Sequence, residues 1–192
     1  MARTLVIAQD KAADALLAKD PLALLTGMLL DQQFPMERAF AGPHLIAERM
    51  GVDRLDAAQI ASYDPDKFTA LMTGLPAVHR FPGSMGQRIQ DLCRLLVDEY
   101  GGDAANVWKG VKDGTELRKR IEGLPGFGAQ KAKIFVALLA KQYGVAPKGW
   151  EDAAGDYALD GHRSVADVTS AESLAKVRAY KQEMKAAAKT KA

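Results

Sequence analysis

Ile121-Glu122-Gly123-Leu124-Pro125-Gly126-Phe127-Gly128-Ala129-Gln130-Lys131-Ala132 is the stretch that decides the fold. It predicts a tight turn, entered through a proline and followed at once by an apolar helix. Gly126 and Gly128 permit positive φ and a close approach of backbone. The next helix begins with N–H groups that have no partner inside it, so the turn presents amides, a positive dipole end and Lys131 to an anion such as a phosphate. On spacing alone, a plain helix–loop–helix turn is an equally good interpretation.

The composition limits the classes of protein to consider. The chain has 192 residues, 48% hydrophobic and 26% charged, which is ordinary for a globular protein with a core of its own. No repeat and no clear linker divides it, so we expect a single unit over residues 1–192, with two helical lobes. A net charge of +2 is compatible with DNA binding but does not demand it.

Cysteine and histidine usage argues against a metal centre. The single cysteine, Cys93, excludes an internal disulfide and any iron–sulfur cluster or zinc site built from several cysteines. The three histidines are scattered and show no ligand spacing. No apolar run approaches the roughly 20 residues of a membrane span, and the N-terminus does not resemble a signal peptide. We therefore expect a soluble, cytoplasmic protein without a metal and without membrane contact.

The early helix is the second informative segment. Asp20-Pro21 is typical of a helix start, with Asp as N-cap and Pro in the first turn. The residues after it are nearly all apolar up to Leu30, which predicts a buried central helix. This helix ends abruptly in Asp31-Gln32-Gln33. Those residues are either a polar end at the surface or a site where a buried helix delivers side-chain amides to a working surface.

The remaining pattern predicts an all-α fold of many short helices. Thr4–Ala8 is β-prone and predicts one short N-terminal strand. A helix that starts at Pro35 is expected to break at Gly42-Pro43, and another is expected over Gly86–Tyr100. A last helix starts at Ser170, becomes basic, and is expected to fray over residues 185–192. The other helices are predicted at 11–18, 44–50, 56–62, 64–72, 115–121 and 131–143.

Three stretches together resemble the helix-hairpin-helix (HhH-GPD) superfamily of base-excision DNA glycosylases, the group of endonuclease III, MutY and AlkA. Leu29-Leu30-Asp31-Gln32-Gln33 resembles the family's early helix that ends in Gln-Gln. The segment Gly86–Leu92, followed by Tyr100-Gly101-Gly102, resembles the helix before the hairpin. Leu124–Gly128 matches the hairpin turn, within a hairpin of about residues 121–143. The resemblance spans about Leu22 to Asp152 and is to a short form without an iron–sulfur cluster.

The resemblance implies binding to double-stranded DNA that carries a lesion or modified base. In the family, hairpin amides bind a phosphate, often with a monovalent cation on hairpin carbonyls, and the target nucleotide is extruded from the duplex. Here the resemblance assigns the wedge or strand contact to Gln33 or Gln32. The hairpin contacts are assigned to Gly126, Phe127, Gly128, Ala129, Gln130 and Lys131.

An acidic loop is the expected source of the catalytic carboxylate. The family uses an Asp at the start of the helix beyond the hairpin, where a carboxylate stabilises charge on the sugar or activates water. Direct counting falls near Lys148, and a few inserted residues bring Asp152 and Glu151 to that place. We assign the role to Asp152, with Glu151 as its substitute and Trp150 as a base-stacking neighbour. The alternative is that both acids are solvated loop residues.

The reaction type follows from Gln130. Members that also cut the strand carry a lysine two residues after the second hairpin glycine, and here Gln130 stands there. Lys131 is one residue late, which rotates a helical side chain by about 100°. The resemblance thus implies a monomeric, monofunctional glycosylase that uses water, without a cofactor. The alternative is a DNA-binding protein that has kept the hairpin and lost catalysis.

Overall fold

The described residues of the chain, 3–191 of the computed structural model, are helical with short connections. The predicted all-α fold is confirmed. The helices in this part of the chain are α1 (Lys11–Lys19), α2 (Pro21–Leu30), α3 (Met36–Met50), α4 (Ala57–Ser62), α5 (Pro65–Thr73), α6 (Pro82–Tyr100), α7 (Gly114–Glu122), α8 (Ala129–Gln142), α9 (Trp150–Ala154) and α10 (Ala171–Thr190).

Helix α2 is the centre of the fold, as its apolar sequence predicts. Every residue from Leu22 to Leu30 is buried. Its start is fixed by Asp20, whose carboxylate accepts from the N–H of Leu22 at 3.0 Å and from the N–H of Leu55 at 2.8 Å. The Asp20 carboxylate thus caps α2 and also bonds to the segment before α4. These two hydrogen bonds fix the N-terminal end of α2 within the core.

The helices pack in two groups around one continuous core. The first group comprises α1 to α6, in which α3 packs on α1 and α2, and α6 packs on α4 and α5. The second comprises α7 to α10, in which α8 packs on α7 and α9. The short 3₁₀ turn Ala104–Val107 joins them, because it contacts α2 and α6 of the first group and α7 of the second. The next residue, Trp108, packs its ring 6.0 Å from that of Phe135 in α8.

Two local predictions are wrong. Residues 4–8 form no strand among the described residues, because the carboxylate of Asp14 accepts from the N–H groups of Ile7 and Ala8, both at 2.8 Å, and folds the segment over α1. Nor does Pro43 break α3, which runs unbroken through it. Pro43 and its neighbour Gly42 are both buried, and packing holds the helix together there.

Two helix ends also differ from the sequence pattern. Helix α6 begins at Pro82, four residues before the predicted Gly86, since a proline is well suited to the first turn. Residues 185–190, where fraying was expected, are the end of α10, and Ala192 lies outside the described residues. None of the helices within residues 3–191 has both the length and the apolar character that crossing a bilayer requires.

Candidate nucleic-acid interface

Two buried apolar side chains anchor the turn between α7 and α8 in the core. Leu124 and Phe127 are buried, and the Phe127 ring lies edge-on to Phe135 at 6.0 Å between centroids. The N–H of Phe127 donates to the carbonyl of Leu124 at 3.1 Å, which closes the turn. The predicted contact of Phe127 with DNA can therefore use only its backbone, because its side chain anchors the turn.

The turn leaves a row of unused amides at the surface. Gly128 is the N-cap of α8, and it has no side chain to cap the helix. No described residue accepts a hydrogen bond from the backbone N–H groups at the start of α8, and the residues that carry them are exposed or half-buried: Gly128, Ala129, Gln130 and Lys131. These donors and the positive end of α8 form the kind of site that binds a phosphate.

The same turn lies against the C-terminal end of α2. Gly126 has a φ of 83°, and a Cβ atom on it would lie 2.2 Å from Cδ1 of Leu29. Only glycine fits this position, for both conformation and space. The hairpin turn and the end of α2, which are separate motifs in the sequence, are therefore one packed unit.

Lys131 ties the two motifs together with hydrogen bonds. Its Nζ donates to the carbonyl of Met28 at 2.9 Å and to that of Leu29 at 3.1 Å. Burial lowers the pKa of the Lys131 amine to about 8, although the negative charge of Asp31 acts in the opposite direction. The expected phosphate contact of Lys131 does not match this geometry, because its amine is used on α2 rather than beside the free amides.

Gln32 and Gln33 have different environments. The Gln32 side chain donates to the carbonyl of Leu29 at 2.9 Å and accepts from Arg88 at 2.9 Å, so it is fixed against the protein. Gln33 is exposed, forms no side-chain hydrogen bond to a described residue, and has a φ of 51°. A left-handed conformation at a non-glycine residue is uncommon and makes Gln33 protrude from the end of α2. Of the two predicted wedge residues, only Gln33 has a side chain without hydrogen bonds to the described residues.

His79 supports this corner from the loop before α6. Its Nε2 lies 3.1 Å from the carbonyl oxygen of Leu30 and 3.0 Å from that of Gln32. Burial lowers the pKa of His79, and the two carbonyls partly offset this. The ring is buried and packs on Phe34 at 4.6 Å, so it is a packing residue and not a free stacking surface. The same loop exposes Leu75, 94% accessible, which the sequence did not single out.

Asp31 is the acid that the sequence did not single out. Its side chain is only 9% exposed, and one carboxylate oxygen lies 3.9 Å from Nζ of Lys181 in α10. Burial raises the pKa of the Asp31 carboxyl, and the charges of Lys181 and Lys131 partly offset the effect. A desolvated carboxylate next to two lysines is typical of functional sites, although structural ion pairs share the property. A helix-end Asp before two glutamines carries no such signal in the sequence.

The predicted acids lie in α9, which packs on both α7 and α8. Glu151 and Asp152 are exposed in the first turn of α9, where the positive helix end favours acids for stability alone. The start of α9 contacts the start of α7, since the N–H of Gly114 donates to the carbonyl of Lys148 at 2.9 Å. The segment that follows α9 returns to the hairpin, since the side chain of Gln130 at the start of α8 donates to the hydroxyl of Tyr157 at 2.9 Å. Trp150 is half-buried against the core beside these acids.

A family model described as HhH-GPD superfamily base excision DNA repair protein matches residues 26–192. The match includes the end of α2, the hairpin and α10. Neither the curated proteins nor the solved structures gave a match.

Proposed function

The chain belongs to the HhH-GPD superfamily of base excision DNA repair proteins, and from that membership we propose that it is a monofunctional DNA glycosylase. Its substrate would be double-stranded DNA with a damaged or modified base. The observation that carries the proposal is the packing of the hairpin turn on the end of α2. It brings the free amides of α8 and the protruding Gln33 to one surface, where a phosphate and the gap beside an extruded nucleotide could be held together.

The hairpin turn would bind DNA through its backbone amides more than through side chains. The amides of Gly128, Ala129 and Gln130 would bind one phosphate, which fixes register without reading sequence. Gln130 also donates from its side chain to the hydroxyl of Tyr157 at 2.9 Å, and this orients it at the edge of the site. Gln33 would fill the space left in the duplex when the target nucleotide is extruded.

The carboxylate that assists hydrolysis has two candidate positions, one in α9 and one at the end of α2. We keep Asp152 as the proposed residue, with Glu151 as its substitute and Trp150 as the neighbour that would stack on a base. Asp31 is a second choice, because its carboxylate is desolvated and lies beside the hairpin lysine at the surface that carries Gln33. A desolvated carboxylate stabilises positive charge on the sugar more strongly than an exposed one.

Lys131 supports the monofunctional assignment. A lysine that forms a Schiff base must direct its amine at the sugar, whereas Nζ of Lys131 donates to the carbonyls of Met28 and Leu29. Water is then the nucleophile and no cofactor takes part. A monovalent cation on the turn is compatible with this proposal, because no described residue donates to the carbonyl oxygens of Pro125 and Gly126. The monomeric state and the cytoplasmic location remain predictions from the sequence.

A base-release assay on a panel of duplexes tests the proposal. The panel carries uracil, 5-substituted uracils, alkylated purines, oxidised purines and mismatches, and alkali treatment reveals each abasic site. We expect an abasic product from at least one duplex. If no duplex yields one while the protein still binds DNA, the alternative of an inactive DNA-binding protein replaces the enzyme.

A further inference from the structure

The second half of α10 extends beyond the body of the protein. The buried residues of this helix, Ser173, Leu174 and Val177, all lie in its first two turns. From residue 182 to residue 191 every position is exposed. The helix therefore projects by about 15 Å without burying any side chain. Because most helical stability in proteins comes from packing, this projection contributes little to the fold.

Basic residues of α10 cluster on one face of the helix. At about 100° per residue, four of them fall within about 80° of the helix circumference. Lys176 and Glu183 fall on the opposite face by the same geometry. The residues of the common face, which we call the basic row, are Arg178, Lys181, Lys185 and Lys189.

The first two residues of the basic row show which way it faces. Arg178 forms an ion pair with Glu37 at the start of α3, and Nζ of Lys181 lies 3.9 Å from Asp31 at the end of α2. The row therefore faces the corner between α2 and α3, where Gln33 protrudes. Lys185 and Lys189 follow on the same face, and neither forms an ion pair or hydrogen bond with a residue in the described part of the chain.

We propose that Lys185 and Lys189 bind phosphates of the DNA backbone that flanks the target nucleotide. The proposal rests on the proposed function, and it adds a second backbone contact to that of the hairpin turn. The two lysines are about 6 Å apart along the helix, a spacing that spans about two phosphates of one strand measured along the duplex axis. Glu37 and Asp31 neutralise Arg178 and Lys181. Lys185 and Lys189 are then the two residues of the basic row whose charges are left for an anionic partner.

The salt dependence of DNA binding tests this assignment. The double variant K185Q/K189Q is compared with wild type on an undamaged duplex and on the same duplex with an abasic-site analogue. Two lost phosphate contacts lower the slope of log K against log salt by about 2 on both duplexes. The charge reversal K185E/K189E lowers affinity further at low salt.

Lys176→Gln is the matched control. Lys176 lies on the opposite face of α10 and pairs with Glu172 at 2.7 Å, so its loss leaves the slope unchanged. Since all three positions are exposed, circular dichroism and thermal melting are expected to match wild type for every variant.

The outcomes separate the two proposals. An unchanged slope in K185Q/K189Q, with wild-type binding and base release intact, overturns the assignment of the basic row alone. Absence of DNA binding by wild type overturns it together with the proposed function. Self-association of free wild-type protein that K185E/K189E abolishes, with an unchanged slope, assigns the row to a second copy of the chain and rejects DNA as its partner.

Discussion

The Nζ atom of Lys131 lies 2.9 Å from the carbonyl oxygen of Met28, a residue 103 positions earlier in the chain. The N–H groups of Asp31 and Gln32 bond to the carbonyls of Met28 and Leu30, and side chains of three different segments add further hydrogen bonds to the last carbonyls of α2. Lys131 serves Met28 and Leu29, Gln32 also serves Leu29, and His79 serves Leu30. The end of α2 is thereby fixed to the hairpin, and the two segments proposed to hold DNA cannot move independently.

Replacing Lys131 by Met is the first test of this arrangement. Because the amine points at α2, we expect the slope of log K against log salt for duplex binding to stay within about half a unit of wild type. A drop of about one unit would instead place the amine on a phosphate and contradict the observed hydrogen bonds. Binding titrations over a range of salt concentrations make the measurement.

The two hairpin glycines give a matched pair of variants. Gly126→Ala places a methyl group 2.2 Å from Leu29 at a φ of 83°, so we expect a loss of about 2–5 kcal/mol in the free energy of unfolding. Gly128→Ala has open space around its Cβ and a φ of −84°, so the fold is expected to keep its stability. Its methyl group, however, would stand beside the free amides and weaken DNA binding. Urea unfolding and a binding titration separate the two effects.

The contrast between local and distant contacts explains what the sequence could predict. The start of α2 at Asp20 and the start of α10 at Ser170 were predictable, because a cap and its helix are neighbours in the chain. The tight turn between α7 and α8 was predictable from its glycines, because both interpretations of their spacing place a turn between two helices. The direction of Lys131 was not, since it depends on a partner 103 residues away. Pro43 likewise misled the prediction, because a local helix breaker is overruled by packing on both sides.

Substitutions of Gln33 and Gln32 are expected to affect different properties, base extrusion for Gln33 and stability for Gln32. Gln33→Ala removes an exposed side chain without protein partners, so we expect unchanged stability and reduced extrusion of the target base. Gln32→Ala removes hydrogen bonds to Leu29 and Arg88, with an expected cost of about 1–3 kcal/mol in the free energy of unfolding. Fluorescence of 2-aminopurine placed at the target site reports extrusion, and thermal melting reports stability. Equal extrusion by Gln33→Ala and wild type would remove Gln33 from the proposed role.

The choice between acids is decided by removing one carboxylate charge at a time. We expect Asp152→Asn to abolish base release and to leave DNA binding unchanged, with Glu151→Gln as the neighbouring control. If Asp152→Asn is fully active and Asp31→Asn is inactive, the catalytic carboxylate is Asp31. Single-turnover assays on the same lesion duplex give the rates, and thermal melting of Asp31→Asn guards against a loss of folding, because its partner Lys181 is then left unpaired.

The monofunctional assignment is tested most strictly at alkaline pH. The pKa of Lys131 is lowered to about 8 by burial, so the amine is mainly protonated at neutral pH and mainly neutral at about pH 9. A neutral amine is the form that attacks an abasic-site aldehyde. Attack would take Nζ from the carbonyls of Met28 and Leu29, which keep the N–H of Asp31 and the side chain of Gln32 as donors. The two lost hydrogen bonds cost about 1–3 kcal/mol together.

We therefore expect no covalent protein–DNA adduct when abasic duplex is incubated with borohydride at either pH. A known strand-cutting glycosylase on the same duplex is the positive control. A trapped adduct that appears at about pH 9 and is absent from Lys131→Met would establish Lys131 as a nucleophile and make the protein bifunctional. An adduct that persists in Lys131→Met would point to another amine, and Lys181, beside Asp31, would be the next to replace.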